Sequence, residues 1–269
     1  MKYMLGSVLL LLGFFSANAA KVDTVAIYSK AMHKSLKCVV ITPDSYQDKQ
    51  QRYPVVYILH GHSGNYSNYI TKIPAIAAVA DAYQMILVCP DGGYNSWYLD
   101  SPVDSAIRFE TYVGKEIPSF IDANYRTKAS RESRAITGLS MGGHGALYLA
   151  IRHQETFGAA GSMSGGVDVR PFPNNWELSQ KLGSYKAHAA NWDQHVVVNQ
   201  LSRLKSDSLS IIIDCGVKDF FIDVNRQLHQ RMLEQGIAHD YIERAGAHTW
   251  EYWSNSIMYQ LFYFHRFFK

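Results

Sequence analysis

One serine in this chain stands where nucleophilic chemistry would be expected. Ser140 lies in "GLSMGGHGAL", between Gly138 and Gly142, where the apolar run Ala135-Ile136-Thr137 gives way to Ala146, Leu147, Leu149, Ala150 and Ile151 at helical spacing. Gly-x-Ser-x-Gly at a strand-to-helix junction is a nucleophile elbow, a tight turn that exposes the serine oxygen. Glycines flank it because the strained turn leaves no room for a Cβ on either side. A serine hydroxyl is a poor nucleophile until a base takes its proton and a third group orients that base. The chemistry to look for is therefore attack on an acyl carbon, and the chain must supply an acid and then a histidine after the elbow.

His153, His188, His195, His229, His239, His248 and His265 all follow the elbow's first turn. His229 and His265 fall inside expected helices, and His239 begins a strand. His248, in "RAGAHTWEYW", sits in a glycine-containing loop between the last strand and the last helix, where a base belongs. For the acid, "IIIDCGVKDFFIDVNRQ" offers Asp214, Asp219 and Asp223. Asp214 is still within a strand, and Asp223 is placed to cap or enter the next helix. Asp219, just past Gly216 in the loop at the strand's end, is the best placed. An oxyanion would need backbone donors, for which the N–H of Met141 and of His62, in "LHGHSGNYSNY", are the candidates. Ser63 is the only rival nucleophile nearby, and it lacks the second glycine. His60 and His62 have no third ligand at a recognisable spacing, so no metal site is expected.

The elements that must position these residues alternate. Short apolar strands are read at 54–61, 85–93, before Ser140, near 159–166, at 208–216 and at 239–246, with helical segments at 103–125, 225–236 and 255–268. "TVAIYSKAM" and "SLKCVVITP" read as two further strands at one sheet edge. This rhythm is that of an α/β fold, a mostly parallel sheet with helices on both faces, in which chemistry gathers at the carboxyl ends of the strands. The aromatic stripe of the tail, "NSIMYQLFYFHRFF", is read as core packing. Segment 170–205 interrupts the rhythm and could fold over the cleft as a lid carrying Trp176 or Trp192.

The first 20 of the 269 residues have Lys2, an apolar run from Val8 to Phe15 and small residues at Ala17-Asn18-Ala19. This is the pattern of a secretory signal peptide, cleaved after Ala19 or Ala20, with an apolar core too short to span a bilayer comfortably. No cysteine follows the cleavage site, so a lipoprotein is not expected. The reading is an exported, periplasmic or secreted protein with one domain over 21–269 and no stable membrane insertion. The chain has 26 Lys and Arg against 23 Asp and Glu, with no basic run to grip nucleic acid. Cys38, Cys89 and Cys215 all sit in strand-like apolar surroundings and read as buried thiols.

Beyond the elbow, "LHGHSGN", "NSWYLDSP", "SMSGGVD", "DCGVKDFF" and "GAHTWEYW" appear in one order along the chain. Together with "GLSMGGHGAL" they resemble the esterase D family of α/β-hydrolases over nearly everything after the leader. Its relatives include S-formylglutathione hydrolases, feruloyl and acetylxylan esterases, tributyrin esterases and mycolyltransferases. The resemblance implies a Ser-His-Asp serine esterase: nucleophile at Ser140, acid at Asp219, base at His248, oxyanion donors at Met141 and His62, with no cofactor and no metal. Two other activities share that triad, an acyltransferase and a thioesterase like the S-formylglutathione hydrolases. An intact triad argues against a non-catalytic binding protein. Trp97 and Tyr98, in a loop at a strand end, are the expected substrate-binding rings. The expected partner is a small-molecule or carbohydrate-linked ester, short-chain or hydroxycinnamoyl.

Overall fold

The computed structural model describes residues 20–205 and 208–269, so the expected leader lies outside the described residues apart from Ala20. Among the described residues, eight strands form one sheet: β1 (Lys21–Ser29), β2 (Lys34–Thr42), β3 (Val55–Leu59), β4 (Ile86–Pro90), β5 (Arg134–Gly138), β6 (Ala159–Met163), β7 (Ser210–Gly216) and β8 (Asp240–Arg244). Their order is β1-β2-β4-β3-β5-β6-β7-β8. The six strands from β3 onward run parallel, while β1 and β2 add an antiparallel edge. Strands β3, β4 and β5 are buried at every residue, which is why they read as continuous apolar runs instead of alternating ones.

Helices cover both faces. α1 (Asn68–Lys72) and α2 (Ile76–Tyr83) connect β3 to β4. Before β5 come α3 (Phe109–Thr111), a π-helical turn (Tyr112–Glu116) and α4 (Ile117–Asn124). α5 (Met141–Arg152) follows the elbow, α6 (Ser179–Leu182) and α7 (Ala189–His195) lie between β6 and β7, and α8 (Ile222–Glu234) and α9 (Trp250–Phe267) complete the chain. Successive β3 side chains serve opposite cores, as a two-residue period requires. Val56 and Ile58 pack with Tyr69, Ile76, Ile257 and Phe264 of α1, α2 and α9. Val55, Tyr57 and Leu59 pack with Ile117, Leu147, Ile151 and Leu228 of α4, α5 and α8. The small residues of β6 let α9 come close. A Cβ on Gly161 would strike the side chain of Gln260, which bonds Thr137 and donates to the Ser162 carbonyl at 3.0 Å.

The α/β reading holds, with several boundaries moved. The helix read over 103–125 begins only at Phe109, because 103–108 is spent on a turn in which Ser101 Oγ accepts the Asp104 N–H at 2.9 Å. The last helix starts five residues before its expected position, at Trp250, where Thr249 caps it through the Tyr252 N–H. Its aromatic stripe divides: Tyr252, Trp253 and Phe264 are buried, whereas Tyr259 and Phe262 are about half exposed. α1 and α2 were not expected. All three cysteines are buried free thiols, and Cys38 and Cys89 belong to the cores on opposite faces of the sheet.

Candidate active site

Ser140 sits between β5 and α5 with φ 56° and ψ −117°, a backbone conformation that costs a non-glycine residue energy. The surroundings enforce it. A Cβ on Gly138 would lie 2.5 Å from the Gly142 carbonyl oxygen, and one on Gly142 would lie 2.7 Å from the His60 carbonyl oxygen. The strand end and the first turn of α5 therefore pack backbone to backbone, and the serine side chain is left at the cleft floor.

Two loops bring partners to it. The loop after β7 carries Asp219 and the loop after β8 carries His248, and backbone bonds zip them together: Val217 N–H to the Arg244 carbonyl and Lys218 N–H to the Gly246 carbonyl, both 2.9 Å. The Ser140 hydroxyl donates to His248 Nε2 at 2.9 Å, and His248 Nδ1–H donates to Asp219 Oδ2 at 2.8 Å. The carboxylate's other oxygen accepts the Phe221 N–H at 2.8 Å, so Asp219 is held at both ends while its side chain is fully buried. A hydroxyl, an imidazole and a carboxylate in this chain can pass the serine proton to the ring and stabilise the ring's charge. Asp223 stands on the first turn of α8, its side chain 83% exposed beside Arg226. Asp214 serves the sheet. It pairs with Arg244 at 2.5 Å, and Arg244 also donates to Ser256 Oγ at 2.7 Å, tying β7, β8 and α9 together. Burial pushes the Asp214 carboxyl up to about 6 despite Arg244.

The N–H groups of Met141 and His62 have no protein acceptor among the described residues. Three N–H groups close to them are committed: Ser63 N–H to the Tyr94 carbonyl at 2.7 Å, Gly64 N–H to Gly61 at 3.1 Å, Gly142 N–H to Leu139 at 2.7 Å. Two free donors beside a serine oxygen are what a developing oxyanion needs. Burial lowers the pKa of the His62 ring, which packs edge-on against Tyr94 at 5.0 Å. His60 is a structural residue: its Nδ1–H donates to the Gly61 carbonyl and its Nε2 accepts the Gly92 N–H, both at 2.8 Å. Among the described residues no group of three or more His, Cys, Asp or Glu is placed to hold a metal ion.

A cavity of about 320 Å³ opens beside Ser140 and His248. Its rings are Trp176, Phe220, Trp250 and Trp253. Trp97 and Tyr98, the expected substrate-binding rings, do not line it, and this corrects the sequence reading. They are 1% and 0% exposed. Trp97 packs against His144 and Trp176, and Tyr98 donates to the His60 carbonyl at 2.9 Å from beneath the β3 loop. Both have positive φ, a backbone reversal that turns the rings inward and that a strand-end position does not foretell. Trp176 belongs to segment 170–205 and stacks on Phe220, whose ring centre lies 4.2 Å from that of His248. Sequence reasoning passed over Trp253 and Asn68 as lining residues; the early start of α9, signalled by Thr249 as a helix cap, was the available clue to the first.

A parallel sheet that presents a serine on an elbow, with acid and base on the two following strand-end loops, defines an α/β-hydrolase. The family model described as "Putative esterase" matches residues 29–264, and the chain belongs to that esterase family. It is 27% identical over 258 residues to an acetyl esterase of Caldicellulosiruptor saccharolyticus, covering 87% of this chain and 94% of that one. The solved structure of a ferulic acid esterase superposes with a TM-score of 0.81 at 29% identity, over 93% of this chain and 99% of the other. A diacylglycerol acyltransferase/mycolyltransferase of Mycobacterium tuberculosis is 23% identical over 278 residues, covering 90% of this chain and 80% of its own.

Proposed function

We propose that this esterase works through an acyl-enzyme: Ser140 attacks, His248 takes and returns the proton, Asp219 holds the imidazole, and the Met141 and His62 N–H groups bind the oxyanion. The observation that carries this is the unbroken hydrogen-bond chain from Ser140 through His248 to Asp219, set beside two backbone donors without acceptors. The proposed substrates are short-chain or hydroxycinnamoyl esters of carbohydrates. A cavity of about 320 Å³ walled by aromatic rings suits a small or flat acyl group better than a long flexible chain. The names of the acetyl and ferulic acid esterase relatives point the same way. The leader pattern supports export, and the Trp176–Phe220 stack supports segment 170–205 as a wall over the cleft. Among the described residues no helix is long and apolar enough to cross a membrane. An alcohol in place of water at the second step would make the same acyl-enzyme a transferase.

The test is kcat/KM along a p-nitrophenyl acetate-to-palmitate series, with acetylated xylan and feruloyl esters alongside and an alcohol acceptor added in parallel. The reading expects rates to fall as the chain lengthens. A preference for palmitate would overturn the substrate class, and acyl transfer outrunning hydrolysis would make the enzyme a transferase.

A further inference from the structure

Asn225, on α8, is fully buried and has no part in the chemistry described so far. As the fourth residue of its helix it lies past the position from which a side chain caps free N–H groups, and its carboxamide serves carbonyls instead. Nδ2 donates to the Gly165 carbonyl and to the Phe221 carbonyl, both at 2.9 Å. Carbonyls only accept, so the nitrogen end must be the one that faces them, and both of its hydrogens are used. The Oδ1 end has no donor among the described residues. Stability alone would not favour a buried amide whose oxygen has lost its water without a replacement.

Each of the two carbonyls belongs to a segment that grips the triad. Gly165 lies in the turn after β6, and that turn brackets the nucleophile. Ser140 N–H donates to the Met163 carbonyl at 2.9 Å, and Gly166 N–H donates to the Ser140 carbonyl at 3.3 Å. The same turn packs on the start of α5, where a Cβ on Gly143 would lie 2.9 Å from Gly165 Cα. Phe221, on the other side, donates its N–H to Asp219 Oδ1 at 2.8 Å. The contacts therefore close a ring: Ser140, the turn at Gly165, the Asn225 carboxamide, Phe221, Asp219, His248 and Ser140 again. His248 bridges nucleophile and acid on the reacting side, and it must gain and lose a proton in each cycle. The carboxamide bridges them from behind and does not titrate.

We propose that Asn225 is a positioning residue: its carboxamide fixes the acid loop against the turn behind the nucleophile, and so keeps Ser140, His248 and Asp219 in line for proton transfer. This inference rests on the acyl-enzyme reading above. The experiment measures Tm, kcat and KM on p-nitrophenyl acetate, and the rate of fluorophosphonate labelling, in the wild type, Asn225→Leu, Asn225→Ser and Leu228→Ala. Leucine has nearly the shape of the carboxamide and no donor. A serine hydroxyl can still donate to the carbonyl four residues back, that of Phe221, but is too short to reach Gly165. Leu228→Ala empties a buried position one turn further along α8 and leaves the carboxamide in place, so it reads what loosening the helix does by itself. A misplacement of about 1 Å at reacting atoms costs about a hundredfold. Both Asn225 variants are therefore expected to lose about tenfold to a hundredfold in kcat and in labelling rate, with KM within about threefold of wild type. Leu228→Ala is expected to lower Tm while kcat stays within about threefold. A folded Asn225→Ser that keeps its kcat, or a Leu228→Ala that loses as much kcat as the Asn225 variants, overturns the proposal. Failure of both Asn225 variants to fold would make the residue a part of the scaffold only and overturn it as well. A wild type that neither hydrolyses the ester nor takes the label would instead overturn the acyl-enzyme reading beneath it.

Discussion

Mild acid should weaken the fold at the elbow through one residue, His144. It lies on the first turn of α5 and is 1% exposed. Its Nδ1 is 3.1 Å from the Trp97 carbonyl and its Nε2 is 2.8 Å from the His195 carbonyl, so it ties the elbow helix to the Trp97 loop and to segment 170–205. Burial holds its pKa down to about 4, although carbonyls at both nitrogens favour the charged ring. In the unfolded chain the ring takes its proton below about pH 6.5; in the folded protein it does so only near pH 4. Between those limits the unfolded state binds more protons, so stability falls as pH falls, and above about pH 6.5 the contribution is complete. From pH 7 to pH 5 the loss works out to about 2 kcal/mol, against a total of roughly 5–15 kcal/mol for a typical domain. Urea unfolding of the wild type and His144→Gln at both pH values isolates this share, because the other titrating groups are common to the two proteins. The variant should be the less stable at pH 7, and the gap should shrink by about 2 kcal/mol at pH 5. A constant gap would refute the reasoning. A widening gap would mean that the two carbonyls, and not burial, decide the charge of the ring.

Other consequences are as direct. Asp219→Asn should lower kcat by about 10⁴-fold by leaving His248 in the wrong tautomer, while Asp223→Asn, on an exposed side chain, should stay within a few-fold of wild type; steady-state kinetics on p-nitrophenyl acetate decides it. Gly142→Ala should cost about 2 kcal/mol or more, or prevent folding, because its Cβ would meet strand backbone; a soluble variant with an unchanged melting temperature would contradict the elbow packing. Arg244→Met leaves Asp214 buried without its partner and should destabilise by about 3 kcal/mol or more, with a smaller penalty at pH 5 than at pH 7 as the lone carboxyl protonates. Denaturant titration at the two pH values checks both the size and the sign.

The sheet was legible because β3, β4, β5 and β7 are short apolar runs bounded by glycine or proline, and burial on both faces allows little else. The site was legible for a related reason. Ser140, Asp219 and His248 each follow a strand directly, and in a parallel sheet all those ends open on one side. The cavity wall was not legible. Trp97 and Tyr98 occupy a strand-end loop as expected, yet two consecutive positive φ angles turn their rings under the cleft, and sequence carries no mark of that reversal. Trp176 and Phe220, 44 positions apart in the chain, meet by stacking, a contact set by how segment 170–205 folds. The π-helical turn at Tyr112–Glu116 disturbs a helix whose apolar spacing gives no warning.

The central claim is that Ser140 is the nucleophile of an acyl-enzyme. Labelling the purified protein with a fluorophosphonate, followed by peptide mass spectrometry, tests it most directly. The account predicts one adduct per chain, on the peptide containing Ser140, with labelling and ester hydrolysis both lost in a folded Ser140→Ala variant. An adduct on Ser63, no adduct at all, or a Ser140→Ala protein that hydrolyses esters at the wild-type rate would contradict it.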